Sequence, residues 1–172
     1  MKKKKSKLAL SIFITVFLTT SIIAEVINKI NWKNYPSIVE IRNIYNLIES
    51  NIKNKKLNTR TKEMEDEETN LKIEKTIIYD KESLVRKYII SMGSDDSILT
   101  FNYYYDSFSN LRFVLISGGA VNGTTMEHKI YIDGNREKIW EIQKFTKGPG
   151  YPFKENFKIG DLVHKPWEDF KK

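Results

Sequence analysis

The groups able to do acid–base chemistry are few: two histidines, His128 and His164, and carboxylates gathered in short polar runs. His128 lies between Glu127 and Lys129 in an alternating stretch and shares a face with Met126, Ile130 and Ile132. That is the setting of a histidine satisfied inside a core, not of a general base. His164 stands between Val163 and Lys165 with no second ligand or base at a useful spacing. Asp95–Asp96 and Asp80–Glu82 read as turns between strands. Paired carboxylates can divide acid and base roles where their surroundings differ, but in exposed turns they mostly shape the chain by accepting from nearby backbone N–H groups. No H-E-x-x-H, G-x-S-x-G or phosphate-cradling glycine loop occurs. Cysteine is absent, which removes disulfides, thiolate metal sites and thiol nucleophiles. The acidic run Glu63, Glu65, Asp66, Glu67, Glu68 lacks the alternating oxygens and glycine turn of a calcium loop. No catalytic residue, metal ligand or cofactor is expected.

Aromatic side chains are the stronger signal. Phe101, Tyr103, Tyr104 and Tyr105 follow one another on one stretch, with Phe113, Tyr131 and Trp140 on its neighbours. Strand alternation places Phe101, Tyr103 and Tyr105 on one face and Tyr104 on the other. The expected ligand-binding residues are therefore Tyr103, Tyr104, Tyr105, Tyr131 and Trp140, acting as a stacking platform for a sugar, a base or a peptide. The competing reading makes the same rings the packed faces of a sheet.

The elements that would position these residues can be read from the hydrophobic period. Ile38, Ile41, Ile44, Tyr45, Ile48 and Ile52 recur at steps of three and four, which predicts an amphipathic helix over 38–53. Ser37 and Glu40 at its start have the S-x-x-E spacing of a capping box. Over 54–70 the period vanishes and basic residues pass to acidic ones, the pattern of a charged connector. From Leu71 the period becomes two. Strands are predicted over 71–79, 84–92, 98–105, 111–117, 126–132 and 137–143, separated by short polar turns, with Asp133-Gly134 the strongest hairpin signal. Tyr103-Tyr-Tyr-Asp106 and Ile130-Tyr-Ile-Asp133 enter similar hairpins, one meander solution used twice. Short turns require antiparallel pairing in sequence order. Residues 144–172, with Phe157, Ile159, Leu162, Val163, Trp167 and Phe170, form a tail able to dock on the sheet. The expected fold is α+β: an N-terminal amphipathic helix on an antiparallel five- to six-stranded meander sheet, with a C-terminal docking tail, all within one domain over 37–172.

Residues 1–24 read as a signal peptide. Five lysines between Lys2 and Lys7 precede an uncharged stretch over 8–24, and Ala24 offers a small residue before the charged Glu25. Seventeen residues diluted by serine and threonine sit at the short edge of a spanning helix, so an uncleaved anchor is the alternative, and membrane contact is expected only through this segment. Residues 25–36 are a lead-in. Without those five lysines the chain carries 24 basic against 22 acidic groups, too even a balance for a nucleic-acid partner. The protein is expected outside the cytoplasm, in the periplasm, on the cell surface or secreted.

A helix followed by an antiparallel meander behind a signal peptide resembles several groups of small exported bacterial proteins, inhibitor-like and periplasmic domains among them. The resemblance is architectural, spans about 37–143 and implies no functional residue. The leading expectation is a small exported bacterial binding or interaction protein acting through its aromatic sheet face on a protein or glycan partner. The alternatives are a secreted or envelope hydrolase using Asp and Glu, and a host- or matrix-binding surface protein, the latter motivated by the terminal Lys171-Lys172.

Overall fold

The structure is a computed structural model that describes residues 26–66 and 71–171. The expected signal segment, 1–24, lies outside the described residues. Helix α1 (Pro36–Lys53) follows a short 3-10 turn at Trp32–Asn34, and seven strands follow it: β1 (Asn58–Glu65), β2 (Lys72–Tyr79), β3 (Val85–Gly93), β4 (Ser97–Tyr105), β5 (Leu111–Ala120), β6 (Thr125–Ile132) and β7 (Lys138–Lys147). They form one antiparallel sheet in chain order, β1 to β7.

The helix begins differently from its expected cap. Tyr35 is the N-cap and Pro36 the first helical residue, with no side-chain cap bond. Proline has no N–H to satisfy and its fixed φ suits that position, so Ser37 falls inside the first turn. Glu40 turns outward to Arg112 instead, 3.1 Å away. Beyond the C-cap Asn54 the helix is closed by Lys55 with φ +54°, while the Lys56 N–H reaches back to the Asn51 carbonyl, a left-handed closure of the kind that satisfies the last carbonyls.

The sheet has seven strands, not five or six. The additional one, β1, lies in the segment expected as a charged connector. Every residue of β1 except Met64 is exposed, so no buried face imposes a period on the sequence. Its pairing to β2 runs from Asn58–Tyr79 to Glu65–Lys72 and includes a Thr61–Thr76 hydroxyl contact at 2.9 Å. A charged edge strand also discourages pairing with another chain. β5 and β7 each extend three or four residues beyond their expected ends.

Three hairpins share one design. Asp80, Asp106 and Asp133 each follow a bulge and accept, on Oδ1, the N–H groups two and four residues ahead. The third residue after each aspartate, Ser83, Ser109 or Arg136, is left-handed, with φ of +63°, +61° and +67°. The Asp133 turn thus takes its left-handed residue at Arg136, not at Gly134. Arginines join the hairpins side by side. Arg86 grips Asp80 and donates to the Asp106 carbonyl, and Arg112 reaches Asp106 and donates to the Ile132 carbonyl.

Side chains on the two faces fall into two cores. On one, α1 lays Ile38, Ile41 and Ile48 over Tyr104, Phe113 and Tyr131. On the other, residues 148–171 lay Phe153, Phe157 and Leu162 over Tyr88, Phe101, Tyr103, Tyr105 and the aliphatic residues around them. The tail turns back at Gly148, whose φ of +85° and close approach to the Thr124 backbone leave no room for a Cβ. Pro166 starts the last 3-10 turn, Pro166–Phe170. Among the described residues, no helix is long and apolar enough to cross a membrane.

Candidate functional site

The helix crosses only one end of its sheet face. Along the strands beyond it, Ser91, Thr100, Asn102, Ser117 and Glu127 belong to neither core, and Ser117 and Glu127 are exposed. Where α1 meets this uncovered half, a groove of about 340 Å³ opens between Trp32, the helix residues Ile41, Arg42, Tyr45 and Asn46, and Phe113, Leu115, Lys129 and Tyr131 of the sheet. That volume lies at the small end of the roughly 300–1,000 Å³ found for ligand pockets.

The rings are held by one another. Trp32 stacks on Trp140 with centroids 5.8 Å apart and tilts against Tyr131 at 6.0 Å. Tyr45 stands edge-on to Tyr104 at 5.0 Å and to Phe113 at 5.7 Å, and Phe113 meets Tyr131 at 4.9 Å. Such tilted and edge-to-face pairs are the favoured aromatic geometries. Around them sit Arg42, which donates through Nη2 to the Lys33 carbonyl, and Lys129, paired with Glu127 at 2.7 Å. Burial pushes the Tyr45 phenol up, and the neighbouring Glu49 adds to this. Burial raises Tyr131 as well, against the opposing pull of Arg42.

Of the five residues expected to bind, Tyr131 lines this groove and Trp140 backs it through Trp32. Tyr104 lies beneath Tyr45, buried by the helix. Tyr103 and Tyr105 are buried on the opposite face, under the tail. The structure therefore splits the five between two faces, with the four tyrosines buried and Trp140 half-buried. Trp32, Arg42 and Tyr45 were not expected at the site. Trp32 belonged to a lead-in without period, and Tyr45 lay in the apolar stripe of the helix, where it reads as core.

Most of the remaining titratable candidates have structural partners. His128 is wholly buried, its Nε2 is 2.9 Å from Glu141, and burial lowers its pKa despite the opposing Glu141 charge. Glu141 also accepts from Lys138 and from the Phe157 N–H. His164 contacts the Tyr103 hydroxyl at 3.0 Å, and burial lowers it too, with Asp169 opposing. Asp96 accepts from Tyr151 and Ser94, which holds its carboxyl below the usual range. Asp95 stays exposed in the same turn. At Asp80, burial works against the carboxylate, but the Leu84 N–H, Arg86 and the Glu82 N–H outweigh it and its pKa falls. Among the described residues no three His, Asp or Glu side chains gather as a metal ion would require.

No protein-family model, curated protein or solved structure matches the chain.

Proposed function

We propose that the protein is a small exported binding module whose ligand, a sugar or aromatic ring belonging to a partner outside the cytoplasm, sits in the groove between α1 and the sheet. The observation that carries this reading is the convergence of four rings, Trp32, Tyr45, Phe113 and Tyr131, with polar side chains on one concave surface. A cavity with an apolar lining and a few polar groups is the usual form of a small-ligand site. The leader-like residues 1–24 support export. The groove contains a single carboxylate, Glu127, already ion-paired to Lys129, which speaks for binding over the two-carboxylate chemistry of a hydrolase.

The test is to screen the purified exported protein against glycan and small-molecule libraries and to map each hit by amide chemical shifts. Shifts grouped at Trp32, Tyr45, Phe113 and Tyr131 support the reading. Hits that map to the tail or to the β1 edge overturn it.

A further inference from the structure

The groove holds more positive than negative charge. Lys33, Arg42 and Lys129 line it against Glu127 alone. Arg42 gives one donor to the Lys33 carbonyl, while its Nε–H is buried without an acceptor. Beside it, Tyr131 lines the same cavity, and its hydroxyl, which is not among the buried unpartnered atoms, makes no hydrogen bond among the described residues. The Arg42 charge opposes the upward shift that burial gives the Tyr131 phenol. Buried donors are ordinarily matched with acceptors, and a guanidinium beside a phenol O–H is a donor set suited to an anionic oxygen group. Tyr45 and Asn46 add further hydrogen-bonding groups at the rim.

We propose that the groove recognises a ring bearing a carboxylate, with one ring face against Trp32, Tyr45 and Phe113 and the carboxylate toward Arg42 and the Tyr131 hydroxyl. This rests on the groove being the binding site and adds the charge and shape of what it takes. Two sources share this chemistry, an aromatic carboxylate and an acidic sugar of a glycan. Lys129 strengthens the field without supplying the primary contact, since Glu127 already holds it.

The experiment titrates the purified exported protein with two matched pairs, benzoate against benzamide and glucuronate against glucose, following amide shifts and the Trp32 indole. At least one acid should bind about tenfold or more tightly than its neutral partner, the change expected when a hydrogen bond to a charged group is gained. Arg42→Gln should bring that acid to the affinity of the neutral partner, with the thermal melt checking that the fold is kept. Lys129→Gln, which leaves the Lys33 contact intact, should weaken the acid by less. The acid that responds identifies the source. Equal binding of acid and neutral members at the groove overturns the charge inference and leaves the groove reading standing. Shifts mapping elsewhere overturn both, and no saturable response to either acid overturns the charge inference.

Discussion

The hydroxyl of Tyr104 donates to Glu49 at 2.8 Å, joining the middle strand of the sheet to the last turns of the helix above it. Lys87 completes the contact: its ammonium lies 2.7 Å from the same Glu49 oxygen and 4.8 Å from the Tyr104 ring centroid. Glu49 looks like a solvent position in the sequence, opposite the apolar stripe, but it is the polar clamp between α1 and the sheet.

Glu49→Lys should therefore destabilise the protein. It leaves the buried Lys87 facing a second ammonium and the Tyr104 hydroxyl without an acceptor, a loss of about 2–4 kcal/mol. Leu47→Ala, at an exposed helix position, should change stability by less than about 0.5 kcal/mol. Urea denaturation of both variants checks this, and equal midpoints would refute the clamp.

The wholly buried Ile41 is the corresponding apolar anchor. Ile41→Ala should cost about 2–5 kcal/mol through lost burial and the cavity left behind. A cost below 1 kcal/mol would mean that α1 packs loosely on the sheet, and the same denaturation curves measure it.

The repeated aspartate turns make a third prediction. Ser83, Ser109 and Arg136 hold left-handed backbone angles that a Cβ disfavours. Glycine at each should stabilise by about 0.5–1 kcal/mol. The Ser109 and Arg136 turns touch through Arg136 Nη2, which donates to Asn110 Oδ1 at 3.3 Å, so the gain at Arg136 should be the smallest and the three should add only in part in a triple variant. Asp106→Ala should act in the opposite direction, because it strips the turn of its acceptor and leaves the buried Arg112 without that carboxylate, costing about 3–5 kcal/mol. Thermal melts of the two variants should move to opposite sides of the parent.

Much of this architecture can be read from residue order alone, because burial writes a period into the chain. Helix α1 and the six strands from β2 onward each have a face against a core, and Ile41, Ile77 and Ile116 mark those faces. β1 has no such face, so Arg60, Lys62 and Glu63 carry no trace of pairing. The groove is illegible for another reason. Trp32, Tyr45 and Phe113 are distant in sequence and meet only because the helix crosses one end of the sheet, and no local pattern encodes where a helix stops covering a face. Tyr103 and Tyr105 lie on the face opposite Tyr104, as alternation requires, but their neighbours there come from a tail whose irregular path has no period at all.

Acid should weaken the fold in two stages. Burial lowers the pKa of His128 and His164 from 6.5 in the folded state. The unfolded chain then binds the extra protons first, so stability present above pH 6.5 falls as pH drops through the folded values. Asp80, Asp106 and Asp169 are also lowered, from 3.8, so their contribution disappears in a second, more acidic window. His164→Gln should flatten part of the first stage and, because the His164 charge helps to hold Asp169 down, slightly reduce the second while leaving the Asp80 and Asp106 contributions in place. Stability measured at intervals from pH 7.5 to about pH 3 tests this, and an unaltered first stage in the variant would show that His164 does not titrate there.

Two tyrosines on the same face should respond oppositely to losing a hydroxyl. Tyr104 and Tyr131 are both buried beneath the helix side of the sheet. The Tyr104 hydroxyl is satisfied by Glu49, so Tyr104→Phe removes a charge-assisted hydrogen bond and should cost about 1.5–3 kcal/mol of stability. The Tyr131 hydroxyl opens on the groove and has no hydrogen-bond partner among the described residues, so Tyr131→Phe removes a polar group that contributes no hydrogen bond to the fold. Its stability should be unchanged or slightly raised. Ligand affinity should follow the reverse order: Tyr131→Phe should lose binding at the groove, while Tyr104→Phe, whose hydroxyl points at the helix, should keep it. Paired denaturation and binding measurements on the two variants give four numbers. A Tyr131→Phe protein that binds as well as the parent would remove the hydroxyl from the site, and one that unfolds as readily as Tyr104→Phe would mean that it has a structural partner after all.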